Sequence, residues 1–157
     1  DRHIIIRKGL ESMKLQTFSF SKDQTGGQAR LIGDEFSKLF KCKCDQIPPA
    51  YQCNKEKLVI ITYEKYGKLP KKFDEFIESM TTEKVINVAL IELSNSGSEY
   101  LDDLAKIFEG NKVNVVGKLG LTVKKGLFSK PSITDAQVKE AVDFGHKIAA
   151  DLFDSIN

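Results

Sequence analysis

A chain of 157 residues is long enough to bury a core without metal or disulfide staples, and it fits a single domain. Apolar residues at 41% and charged residues at 29% are those of an ordinary globular protein, and a net charge of +2 is too slight to imply nucleic acid as a partner. No apolar run approaches the roughly 20 residues of a membrane span. Ile4-Ile5-Ile6 is too short for a signal-peptide core, so the expected location is cytoplasmic, with no membrane partner.

Residues 1 to 12 precede Met13 and read as an added segment, with one domain over 13 to 157. Leu15 to Phe20 is an apolar run that predicts a strand. Ser21 to Gln28 then carries two glycines, as a strand-to-helix turn would, and Leu31, Ile32, Phe36, Leu39 and Phe40 follow on one face of a helix starting near Gly27 or Gln28. Cys42 to Ile47 predicts a short edge strand, ended by Pro48 and Pro49. Between Cys44 and Leu58 there is room for a short helix or none. Cys42, Cys44 and Cys53 are read as reduced structural thiols, since a lone C-x-C with both histidines distant is a weak metal signal.

Leu58 to Thr62 and Ile86 to Leu93 are nearly continuous in Val, Ile, Leu and Ala, which suits parallel strands covered on both faces. Phe73, Phe76, Ile77 and Met80 make a helical stripe after Pro70. A Ser96…Glu99 capping box is expected to open the next helix, with Tyr100, Leu101, Leu104, Ala105 and Phe108 as its stripe. Val113 to Val116 predicts the last strand, with a continuation through Leu121 to Val123. Thr134…Gln137 is a second capping box, followed by Val138, Ala141, Val142, Gly145, Ile148, Ala149 and Leu152 at helical spacing.

Strands alternating with helices predict an α/β fold with right-handed crossovers. Ligands of such sheets bind beyond the carboxyl ends of the strands, where the strand order reverses. The loops of interest are therefore Ser21 to Gln28, Tyr63 to Leu69, and Ser94 to Ser98.

These loops carry a family likeness. Asp23-Gln24-Thr25-Gly26-Gly27-Gln28 stands where flavodoxins read S/T-x-T-G-N-T around the FMN phosphate. "ITYEKYGKLPKKFDEFI" is similar to that family's T-Y-x-G…P…F-x-x-F segment, and "SNSGSEYLDDL" occupies the place of its G-x-G-D-x-x-Y loop. On these segments the chain resembles a flavodoxin from Lys14 onward. The resemblance implies a three-layer sandwich around a five-stranded parallel sheet of order 2-1-3-4-5, here with a reduced second helix.

It also implies FMN as cofactor, electron transfer with redox partner proteins, and no catalytic residue. The phosphate would be held by Ser21, Lys22, Asp23, Gln24, Thr25, Gly26, Gly27 and Gln28, largely through backbone N–H groups at a helix N-terminus. Thr62, Tyr63, Glu64, Tyr66 and Gly67 would meet the flavin, with Tyr63 or Tyr66 stacking on it. Ser94, Asn95, Ser96, Gly97 and Tyr100 would form the second flavin loop.

Several residues depart from the family pattern. Asp23 sets a carboxylate beside the phosphate position, and two anions roughly 5 Å apart at an effective dielectric of about 20 repel by several kcal/mol. Gln28 replaces a hydroxyl, Asn95 an acidic residue, and Ser98 an aromatic, with Tyr100 as a substitute or a packing residue. Lys65, Lys68, Lys71 and Lys72 outnumber Glu64 and Asp74 around the expected site, which implies a less negative hydroquinone potential than in acidic relatives. The alternative is a flavodoxin-fold interaction or scaffold module that has lost FMN. A phospho-receiver fails because the strand ending in Ile61-Thr62-Tyr63 has no aspartate. A serine hydrolase fails because there is no G-x-S-x-G elbow and His146 lies within the last helix.

Overall fold

The computed structural model describes residues 14–22 and 27–153. The segment 1–12 and four expected phosphate-loop residues, Asp23, Gln24, Thr25 and Gly26, lie outside these. In chain order the elements are β1 (Leu15–Phe20), α1 (Gln28–Phe40), β2 (Cys44–Gln46), β3 (Glu56–Lys65), α2 (Lys71–Ser79), β4 (Val85–Ser94), α3 (Leu101–Gly110), β5 (Asn114–Thr122) and α4 (Asp135–Leu152). Every pairing is parallel and the order is β2-β1-β3-β4-β5, as the resemblance implies. The chain passes from β2 to β3 without a helix, so the second helix is reduced to nothing among the described residues.

Alternation along the central strands sends side chains to two cores. Val59, Ile61 and Tyr63 of β3 join Phe18, Phe20, Val88 and Leu90 under α2 and α3. Leu58 and Ile60 join Ala89, Ile91 and Leu93 under α1 and α4. Helix α1 contributes Ile32, Phe36 and Phe40 to this second core at four-residue spacing, all fully buried. Each such side chain is worth about 1.5–3 kcal/mol in removed apolar surface.

The helix starts divide into two kinds. Thr134 and Gln137 form the expected capping box at α4. The box expected from Ser96 and Glu99 does not form: Ser96 Oγ accepts the Ser98 N–H, and the N-cap of α3 is Tyr100, which supplies no side-chain bond. The N-cap of α1, Gly27, supplies none either. Both orphaned helix starts receive a carboxylate from a strand instead.

Candidate functional site

The sheet order reverses between β1 and β3, and the carboxyl end of β3 carries Glu64. Its side chain lies on the α1 side of the sheet, 7% exposed. The Ala29 N–H, in the first turn of α1, donates to Glu64 Oε2 at 3.0 Å. A helix start offers unsatisfied N–H groups and the positive end of the macrodipole, so it favours an anion. Helix α1 has no acidic residue of its own in that turn. Glycine at position 27 is required by this packing: a Cβ there would stand 2.3 Å from Ser21 Cβ and 2.6 Å from Glu64 Oε2. The carboxylate and Ser21 thus close on the helix start where the resemblance places a ligand phosphate.

Glu92 does the same for α3 on the opposite face, and is fully buried. Its Oε1 accepts from the Tyr63 hydroxyl at 2.8 Å and the Tyr100 N–H at 2.8 Å. Its Oε2 accepts from the Ser94 hydroxyl at 2.7 Å and the Glu99 N–H at 2.6 Å. Four donors satisfy the carboxylate, which is what a buried charge requires. Sequence reasoning missed this role. The signal was available, since an acidic residue inside "VALIELS" must find partners.

This network corrects the expectation for Tyr63. Its ring is fully buried, 5.7 Å from that of Phe73, and its hydroxyl is committed to Glu92, so it packs the core and cannot stack on a ligand. Burial, with Glu92 adding to it, pushes its ionisation far above the usual phenol range. Thr62 is likewise enclosed, and its Oγ1 is the buried side-chain polar atom left without a partner among the described residues.

The loop after β4 turns its polar groups onto β5. Asn95 Oδ1 accepts the Lys125 N–H at 2.8 Å, the Thr122 hydroxyl donates to Ser96 O at 3.1 Å, and the Ser94 hydroxyl accepts the Gly97 N–H at 2.8 Å. Gly97 has φ +79°, and its carbonyl presses on Gly120 so closely that a Cβ on Gly120 would stand 1.9 Å from it. Tyr100 packs against the α2–α3 core with its hydroxyl 3.5 Å from Asp74. None of these five residues reaches the cleft described next.

That cleft, of about 230 Å³, lies over the carboxyl ends of β1 and β3. It gathers Ser21, Lys22, Gly27, Gln28, Glu64 and Tyr66 from the expected set, joined by Lys125, Lys130 and Pro131. Gly67, with φ +76°, stays outside the lining beside Lys22. The unexpected members come from the connection between β5 and α4. Gln28 Oε1 holds that connection by accepting the Ile133 N–H at 2.8 Å, and the Tyr66 hydroxyl donates to Val123 O at 2.5 Å. Lys125 Nζ stands over the Tyr66 ring, 6.0 Å from its centroid. Burial and then the Glu64 charge push the Tyr66 phenol up to about 12. The cations at the cleft are therefore Lys22, Lys125 and Lys130, whereas the sequence pointed to Lys65, Lys68, Lys71 and Lys72.

Among the described residues the arrangement departs from FMN held in the manner of the resemblance. The first turn of α1 already carries a carboxylate, Tyr63 is in the core, Tyr66 has a lysine over its ring, and Asn95, Ser96 and Gly97 turn onto β5 and the segment after it.

The sheet order, the two helical layers and the cleft at the reversal point define a flavodoxin-like α/β protein. No protein-family profile and no curated protein sequence matches the chain. Among solved structures it is similar to a flavodoxin of Streptococcus pneumoniae TIGR4, with TM-score 0.58 and 13% identity over 87% of this chain and 97% of that one. It is also similar to a short-chain flavodoxin associated with a non-canonical PDU bacterial microcompartment, with TM-score 0.54 and 12% identity over 91% and 97%. Likeness at such identity is a likeness of fold.

Proposed function

We propose that this chain is a flavodoxin-fold interaction module that works without FMN held in the family's manner. The observation that carries this reading is the Glu64 carboxylate on the first turn of α1. An FMN phosphate entering there would have to displace a buried, hydrogen-bonded anion or sit beside it, and like charges at that separation repel by several kcal/mol. The remaining features are those of a binding surface, with a small cleft, a tyrosine and three lysines beside a long connecting loop.

A second reading is the flavodoxin-like electron carrier, exchanging electrons with redox partner proteins. The flavodoxins among its structural neighbours support it, as does a helix start that already binds an oxyanion beneath Lys22, Lys125 and Lys130. In that reading the lysines attract the phosphate and Glu64 yields its place. FMN itself would supply the redox chemistry.

Titration of the purified protein with FMN, followed by quenching of flavin fluorescence, separates the two. The interaction reading expects no quenching up to tens of micromolar. A sub-micromolar dissociation constant overturns it and installs the second reading.

A further inference from the structure

The connection between β5 and α4 carries a feature that the cleft does not use. Leu127 and Phe128 stand side by side with 89% and 97% of their surface exposed, more than any other large apolar side chains described. They do not belong to a fraying end. Val123 N–H donates to Ser94 O, Lys125 N–H to Asn95 Oδ1 and Ile133 N–H to Gln28 Oε1, so both stems are tied down. Between the stems the chain doubles back tightly, since a Cβ on Gly126 would stand 2.2 Å from Ser129 Oγ. The two apolar side chains therefore form the apex of a built turn.

The surroundings of the apex are cationic. Lys124, Lys125 and Lys130 are exposed on the stems, Lys22 and Lys68 lie on neighbouring loops, and Lys65 ends β3 at the same end of the sheet. The connection itself, residues 123–134, holds the first three of these lysines and no acidic residue; at the same end the loops add Glu99, β3 the buried Glu64, and the helix starts Asp74, Asp102, Asp103 and Asp135. A convex apolar tip ringed by lysines offers no groove for a helix or an extended peptide. A second copy of the chain would bring the same lysines against them. A bilayer with anionic headgroups accepts both parts at once, the apolar pair among the acyl-chain boundary and the ammonium groups among the phosphates.

We propose that this loop docks the protein on a lipid surface bearing anionic headgroups. Such contact needs no spanning segment, and no described helix is long and apolar enough to cross a membrane. Leu127 and Phe128 lie outside the cleft lining, whereas Lys22, Lys125 and Lys130 serve both, so the test is made without added flavin.

The test is cosedimentation of the full chain with extruded vesicles of phosphatidylcholine, with and without phosphatidylglycerol. Binding is expected on the anionic vesicles and about tenfold weaker, or more, on the neutral ones. The exposed pair can be changed without touching the core, so Leu127→Ser with Phe128→Ser should leave thermal unfolding unchanged and weaken vesicle binding about tenfold. Changing Lys124, Lys125 and Lys130 together to Gln should weaken it similarly and flatten its salt dependence. Absence of binding to anionic vesicles overturns the proposal and leaves an acidic protein surface as the occupant. Binding that survives the Leu127 and Phe128 changes also overturns it. So does wild-type self-association that those changes abolish, which would make the occupant a second copy.

Discussion

Removing the Glu64 carboxylate tests whether a strand residue, rather than a ligand, completes the start of α1. In Glu64→Ala the Ala29 N–H loses the buried carboxylate oxygen that accepts it at 3.0 Å. A hydrogen bond to a charged group is worth about 1.5–3 kcal/mol net, with the favourable helix-dipole contact included in that range. For a domain of this length each kcal/mol lowers Tm by roughly 2–4 °C, so the expected loss is about 3–12 °C. Glu64→Gln keeps an oxygen acceptor but not the charge, and should lose about a third as much. Differential scanning calorimetry measures both. Two side readouts follow from the same geometry. Inorganic phosphate should raise the Tm of Glu64→Ala more than that of the wild type, because the vacated helix start can take an outside anion. Tyr66, held up to about 12 partly by the Glu64 charge, should ionise at lower pH in Glu64→Gln when followed by ultraviolet absorbance. A Glu64→Ala protein that melts with the wild type, with or without phosphate, would refute the reasoning.

Further expectations concern the scaffold around the cleft. Glu92→Ala deprives four donors of their acceptor, two of them fully buried, and should cost about 3 kcal/mol or more, whereas Tyr63→Phe removes one of them and should cost about 1 kcal/mol; equal urea midpoints would sink the network argument. Gly120→Ala drives a methyl into the Gly97 carbonyl, a backbone atom that cannot step aside, and should cost about 3 kcal/mol in urea unfolding. The thiols of Cys42 and Cys53 are pushed by burial from 9.0 up to about 12. Folding therefore withholds deprotonation: the associated stability is fully present below pH 9.0 and is lost as pH rises toward 12. Both should react slowly with a thiol reagent in mildly alkaline buffer until the chain is unfolded.

The fold was legible because the strongest sequence signals are also the ones that build it. The apolar runs at Leu58 to Thr62 and Ile86 to Leu93 sit inside β3 and β4, and the helical stripes locate all four helices. The strands extend further than the runs because their ends carry Glu56, Glu64, Lys65 and Ser94, polar residues that alternation alone does not assign. The site was less legible for a related reason. Tyr63 and Glu64 are adjacent in a strand and so point to opposite faces, one into the core and one to α1, a division invisible when the segment is read as a loop. Lys125 and Lys130 come to the cleft from more than a hundred residues beyond Ser21, through the bond of Gln28 to Ile133. No local motif announces such a closure. The Ser96…Glu99 pattern misled because Glu92, buried one strand-end earlier, competes for the same N–H groups from a better-shielded position.

The two outer strands of the sheet differ in what they offer to other chains in a concentrated solution. At one rim β2 is three residues long and runs into Pro48 and Pro49, so little ladder is available for a foreign strand. At the other rim β5 is nine residues long, with its pairing to β4 shifted near Val88 and Ala89. Lys118 stands exposed at its middle, bound to Asp102 at 2.8 Å. An incoming strand would have to follow an irregular template and pass a charged side chain. The longer rim is thus guarded by shape and charge where the shorter is guarded by length, and crowding alone should not drive this protein to add strands edge to edge.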